Sequence, residues 1–169
     1  MLGRRAHRAL LVLALAALVA LGGGTLLAGG RPASGPRVGR VERVVDGDTI
    51  VVRLGGGDER VRYIGMDTPE DVKPGTPVQC FALAAAAANR RLVAGREVRL
   101  VPDAEPRDRY GRLLAYVYRE PDGMFVNAEL VRHGYARMLT IPPNVAHEAE
   151  FRRLARRARA AGRGLWSRC

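Results

Sequence analysis

Between residues 38 and 118 the apolar positions fall in short β-branched runs, broken by glycine, proline and charge. That pattern predicts strands, over residues 41–45, 49–54, 59–64, 97–101 and 113–118, with Gly55-Gly56-Gly57-Asp58 as a hairpin loop between the second and third. The period changes in three places. An alanine-rich stretch, residues 79–93, predicts a helix stopped by Gly95. Asn127 is placed to cap a short helix over residues 128–133, which Gly134 ends. A last helix is predicted over residues 145–161, where Phe151, Leu154, Ala155 and Ala158 form an apolar stripe and Arg152, Arg153, Arg156, Arg157 and Arg159 cover the remaining faces. Short strands with interspersed helices predict an α+β chain, and a five-stranded OB-fold β-barrel with about three helices is the small barrel suited to nucleic acid.

Ahead of this domain the pattern differs. Residues 9–30 carry no charge and follow the basic cluster Arg4-Arg5-Ala6-His7-Arg8, so residues 1–30 are expected to be a signal peptide or membrane-anchor helix. Arginines before the run orient the following domain for export. Ala28 is a candidate cleavage site, although Leu26 is larger than the residue usually found there. The product is therefore either secreted or tethered through residues 9–30 to the outer face of the cytoplasmic membrane. Residues 31–37 read as a proline- and glycine-containing linker, and residues 38–169 as one domain with a single core, expected to be monomeric.

Charge narrows the partners. The net charge is +11, and setting aside Arg4, Arg5 and Arg8 leaves +8 on the rest of the chain. Such a domain favours a polyanion, nucleic acid or an anionic membrane surface, although a single lysine, Lys73, shows that base composition also shapes the arginine content. The chain has two cysteines, Cys80 and Cys169. In an exported protein they are candidates for a disulfide; the alternative is one buried thiol and one loose terminal thiol.

Three charged segments carry candidate chemistry: Asp46-Gly47-Asp48-Thr49, Arg62 with Asp67-Thr68-Pro69-Glu70, and Asp108-Arg109-Tyr110-Gly111-Arg112. Each has a plain structural reading alone, as a tight turn, a helix N-terminus with Glu70 closing a capping box, and a charged hairpin loop, although Pro74, Gly75 and Pro77 leave no room for that helix. Arg62, Ile64 and Met66 are expected on one face of a strand that ends at Asp67. Acidic groups beside strands hold hard divalent cations, and arginines facing them clamp phosphate. Other chemistries lack their residues. His133 and His147 are isolated, the two cysteines lack zinc-site spacing, the only serines are Ser34 and Ser167, and no glycine-rich loop ends in Gly-Lys.

Taken in order, these segments, with Leu113-Leu114-Ala115-Tyr116-Val117, Val126-Asn127, Leu130-Val131-Arg132 and Gly164-Leu165-Trp166-Ser167, resemble the thermonuclease family, the staphylococcal (micrococcal) nuclease-like enzymes. The resemblance implies that Asp48, Asp67 and the Thr68 carbonyl bind Ca2+, with Asp46 close to the metal without binding it. It implies that Glu70 orients or deprotonates the attacking water, and that Arg62 and Arg112 hold the phosphate. Arg109 and Tyr110 are implied to lie near the nucleotide. The substrates would be DNA and RNA, cleaved to 3′-phosphate ends. After Gly134 the chain departs from the family, with Met138-Leu139-Thr140-Ile141-Pro142 where tyrosines are expected. A non-catalytic OB-fold module that only binds nucleic acid is the rival reading. A basic domain docked on anionic lipid is a third, and it leaves the acids without a task.

Overall fold

The computed structural model describes residues 35–70, 75 and 77–169. The apolar run of residues 9–30, the start of the linker and most of the 71–77 loop lie outside the described residues. Among the described residues no helix is long and apolar enough to cross a membrane.

In chain order the first half comprises β1 (Arg37–Val44), β2 (Thr49–Leu54), β3 (Gly57–Tyr63), β4 (Met66–Asp67), α1 (Ala82–Val93) and β5 (Glu97–Val101). The second half comprises β6 (Leu113–Arg119), β7 (Met124–Phe125), α2 (Val126–Arg132), β8 (Arg137–Met138), α3 (Glu148–Ala160) and the one-turn α4 (Leu165–Arg168). β1 is shared: Arg37 to Arg40 pair antiparallel with β5, and Arg40 to Val44 with β2. β2 pairs with β3 and β5 with β6, and a parallel pairing of β3 with β6 closes the sheet on itself. The result is the expected five-stranded OB-fold barrel in an α+β chain. Closure removes the long sheet edges that would otherwise recruit other strands.

Alternation explains which side of each strand is wet. In β3, Val61 and Tyr63 point into the barrel and Arg60 faces solvent. Ile50, Val52, Val61, Val98 and Val117 are fully buried, and α2 and α3 close one end with Leu130, Val131 and Phe151. Full burial of a side chain of this size contributes on the order of 1.5–3 kcal/mol.

Several boundaries differ from the pattern-based expectation. β1 starts at Arg37 because its polar first half is drawn into the ladder with β5, where main-chain bonds suffice and the side chains stay largely exposed. The hairpin between β2 and β3 is tighter, with Leu54 opposite Gly57 and only Gly55-Gly56 in the turn, the loop length that matches strand twist. α1 begins at Ala82 rather than near residue 79, because Phe81 takes a left-handed conformation and stacks on Tyr135. Just before it, Cys80 is joined to Cys169, with Cα atoms 5.9 Å apart. A covalent link across 89 positions contributes on the order of 4–5 kcal/mol in the chain-entropy description.

Asn127 is not a helix cap. It lies inside α2, fully buried, and accepts from the Val117 N–H at 2.9 Å while donating to the carbonyls of Ile64 and Ala115. A local pattern cannot distinguish a capping asparagine from one whose partners arrive from other strands. Here the side chain bolts α2 to the seam between β3 and β6. Asn127→Ala is therefore expected to lower stability by about 2–3 kcal/mol, the cost of stranding buried main-chain groups, as read from urea unfolding; an unchanged midpoint would contradict the bracing role.

Candidate active site

Three turns build the site. The first joins β1 to β2. Asp46 accepts from the Asp48 N–H at 2.9 Å, and the Thr49 carbonyl accepts from Val45 and Asp46, which folds the segment back on itself. Gly47 is required by space, since a Cβ there would sit 2.7 Å from the Thr68 side chain. Asn89 of α1 supports this turn from inside. Its amide donates to the Asp46 carbonyl at 3.0 Å and accepts from the Tyr63 hydroxyl at 2.9 Å. Burial holds that hydroxyl's pKa above its usual value, so Tyr63 remains a donor.

The second turn interrupts the strand expected to run from Arg62 through Met66. β3 ends at Tyr63, and Gly65 adopts φ +82 where a Cβ would collide with Phe151 at 2.3 Å. The chain then enters β4, whose two residues pair with β8, Met66 with Met138 and Asp67 with Arg137. This break brings Asp67 back to Arg62.

Asp48 is the centre of the arrangement, 1% exposed. One carboxylate oxygen accepts from the Thr49 hydroxyl at 3.2 Å and from Arg62; the other accepts from the Thr68 N–H at 2.8 Å and hydroxyl at 2.9 Å. The second terminal nitrogen of Arg62 donates to Asp67, so one guanidinium spans both acids. Burial pushes the Asp48 carboxyl up to about 7 against the opposing pull of Arg62. Burial also works against the charge on Arg62, but Asp48 and Asp67 outweigh it and hold the guanidinium's pKa above its usual value. Glu70 follows on the same loop. Its N–H donates to the Gln79 side chain at 3.0 Å, and its carbonyl accepts from the Gln79 N–H at 2.9 Å.

The third turn is organised by Asp108. Its carboxylate accepts from the N–H groups of Tyr110 and Arg112 and from the Arg112 Nε at 2.7 Å. Burial opposes the charge, but the Arg112 side chain and these N–H groups hold the Asp108 pKa below its usual value. The charged hairpin loop is thus also the mount for Arg112, whose guanidinium lies 5.5 Å from the Tyr110 ring centre, with that of Arg109 at 4.8 Å.

Two cavities result. The acidic one, about 230 Å³, is lined by Asp46, Asp48, Asp67, Thr68, Arg62 and Glu70, among others. The second, about 560 Å³, is lined by Arg62, Glu70, Arg109, Tyr110 and Arg112, with Leu114, Leu139 and Ile141 supplying apolar wall. Arg62 and Glu70 line both. Every residue singled out from the charged segments is therefore at one cavity or the other, while Cys80 and Cys169 lie elsewhere. Pattern reading missed Asn89, Gln79 and the hydrogen-bonding role of Thr68. Asn89 and Gln79 sit in or beside an alanine-rich helix with no local sign of a distant partner.

The oxygens of Asp48, Asp67 and the Thr68 backbone are the hard donors that suit an alkaline-earth cation, and the cavity leaves room for water. Among the described residues no three carboxylate, histidine or cysteine groups stand close enough to cage an ion by themselves. Two carboxylates and one carbonyl would leave a cation to keep part of its water shell. Arg62 supplies positive charge to both acids.

Residues 60–168 match the family model described as Staphylococcal nuclease homologue. The chain is 44% identical over 128 residues to a thermonuclease of Staphylococcus intermedius, covering 76% of this chain and 75% of the relative. It is 40% identical over 128 residues to a thermonuclease of Staphylococcus hyicus, with the same coverage. It is also 38% identical over 130 residues to the endonuclease YncB of Bacillus subtilis (strain 168), covering 76% of this chain and 61% of that protein.

The depressed pKa of Asp108 gives its loop a signed pH dependence. The stabilisation is present above the unfolded pKa of about 3.9 and is lost as pH falls through the lower folded value. Asp108→Asn should lower the urea midpoint at neutral pH, with the gap to wild type closing in acid. A gap that stays constant with pH would contradict this.

Proposed function

The chain belongs to the staphylococcal nuclease homologue family, and on that footing we propose that it is a Ca2+-dependent nuclease that hydrolyses DNA and RNA and leaves 3′-phosphate ends. The observation that carries this reading is the shared wall: Arg62 and Glu70 face both the acidic cavity and the arginine-lined one. A phosphodiester lying across that wall would meet carboxylates on one side and guanidiniums on the other.

Asp48, Asp67 and the Thr68 carbonyl would hold the Ca2+ ion. The ion, when bound, lowers the pKa of a coordinated water and offsets charge developing on phosphorus. Glu70 orients the attacking water and takes up its proton. Arg62 and Arg112 grip the non-bridging phosphate oxygens, a task for which the planar, permanently charged guanidinium is suited. In moving onto the phosphate, Arg62 exchanges one set of anionic oxygens for another. Asp108 keeps Arg112 in place through Nε, leaving its terminal nitrogens for the substrate. Attack in line with the 5′-oxygen as leaving group leaves the phosphate on the 3′ side. These residues address phosphate and none is committed to a base edge, so both sugars and all bases are accepted, with single strands or frayed duplexes favoured.

We also propose that the domain works outside the cytoplasm, secreted or tethered. Supporting this are the basic cluster ahead of residues 9–30 and the Cys80–Cys169 pair, a linkage that persists in oxidising compartments.

The test is cleavage of DNA and RNA in Ca2+ and in chelator. Cleavage is expected only with Ca2+, and Glu70→Gln and Arg112→Ala should each lower kcat by about 10²–10⁴-fold with the fold intact. Salt-sensitive retention of nucleic acid without products in Ca2+ would replace the enzyme with a binding module. Cleavage that survives chelation would remove the metal from the mechanism.

A further inference from the structure

Beyond the shared wall, a third cavity of about 380 Å³ is lined by Arg60, Tyr110, Gly111 and Arg112. We propose that Arg60, with Arg112 and Tyr110, forms a second phosphate subsite that grips the polynucleotide backbone beyond the phosphate being cleaved. This rests on the nuclease reading of the adjoining site, whose Arg112 it shares.

The placement follows from the barrel. Alternation along β3 sends Arg60 and Arg62 to the same face, opposite the buried Val61 and Tyr63. Two residues of strand separate them by about 6.6 Å. That is close to one nucleotide repeat of an extended single strand. The parallel register that closes the barrel, Val61 with Leu113, sets Arg60 beside Arg112. Arg112 also lines the larger cavity that Arg62 lines, so it links the cavity of Arg60 to that of Arg62.

The charges around Arg60 make it a candidate for an external anion. Asp58 is paired with Arg53, and Glu59 accepts both terminal nitrogens of Arg107. Asp108 holds the Nε of Arg112. Among the described residues no carboxylate pairs with Arg60. Asp108 engages only the Nε side of Arg112, so an anionic oxygen placed in this cavity meets the terminal nitrogens of Arg112 together with Arg60. Tyr110, 68% exposed, gives the cavity a flat wall where a sugar or base can lie while its phosphate meets the arginines.

A subsite of this kind acts on chain length. A dinucleotide has one phosphodiester and cannot fill it; a longer strand can. The experiment uses the full chain as wild type, Arg60→Ala and Arg60→Lys. Binding of a labelled single-stranded 12-mer is followed by fluorescence anisotropy in chelator over a range of salt. Cleavage in Ca2+ is followed on the 12-mer and on a dinucleotide. Arg60→Ala is expected to weaken 12-mer binding about tenfold and to reduce the salt slope by about 0.7, the value for one phosphate contact on a single strand. The ratio of kcat/KM between 12-mer and dinucleotide should fall by a similar factor, through KM, and Arg60→Lys should restore part of it. Unchanged binding and salt slope would overturn the subsite, whether or not the protein cleaves. An equal loss of kcat/KM on both substrates would also overturn it, because Arg60 would then act at the reacting phosphate or on the fold. Failure of wild type to cleave anything while Arg60→Ala still weakens 12-mer binding would sink the nuclease reading and leave the subsite standing.

Discussion

One buried carboxylate ties the scaffold to the site. Taking Asp48 out of water is unfavourable unless its oxygens are satisfied, and its donors arrive from three separate segments: Thr49 at the start of β2, Arg62 on β3 and Thr68 just after β4. These contacts hold the β1–β2 turn, the strand beside it and the Glu70 loop in register. The same oxygens are the ones a cation would approach. Under the proposed function, stability and chemistry would depend on one set of hydrogen bonds, and changes to this residue should be read with both in mind.

The two acids spanned by Arg62 are not equivalent. Asp48 is sealed, whereas the side chain of Asp67 is 49% exposed, so one anchor is fixed and the other opens to solvent. In the proposed cation site this asymmetry would give the ion a direction of entry and leave its outer positions to water and phosphate. Under the proposed function Arg62, the counter-charge to both acids, would also serve as the clamp on a substrate phosphate. Arg112 has no such double duty. Asp108 sets its position and the Asp48 cluster does not, so the two arginines are supported by separate networks. Loss of one should not disorganise the other.

Much of this is legible in the amino-acid sequence. The barrel strands show in the sequence because they alternate or run apolar over five or more residues, a signal that survives without tertiary information. The charged segments show because their order and spacing resemble one family. What was not legible depends on partners distant in the chain. Asn127 sits where a cap is expected, yet its bonds go to residues 10, 12 and 63 positions away. Asn89 lies within an alanine helix and serves a turn 43 residues earlier. β4 and β8 are two residues each, too short for any period to register. The expected continuous strand from Arg62 to Met66 failed at Gly65, where a positive φ and a close ring override the local apolar pattern.

The most direct test of the Asp48–Arg62–Asp67 arrangement is the Ca2+ affinity of wild type, Asp48→Asn and Arg62→Ala, measured by calorimetry in the absence of nucleic acid. If the acids form the cation site and Arg62 balances them in its place, Asp48→Asn weakens binding at least about tenfold by removing a charged ligand. Arg62→Ala tightens it, because a competing positive charge is gone. Affinity that is the same in all three proteins, or that falls when Arg62 is removed, would contradict the account.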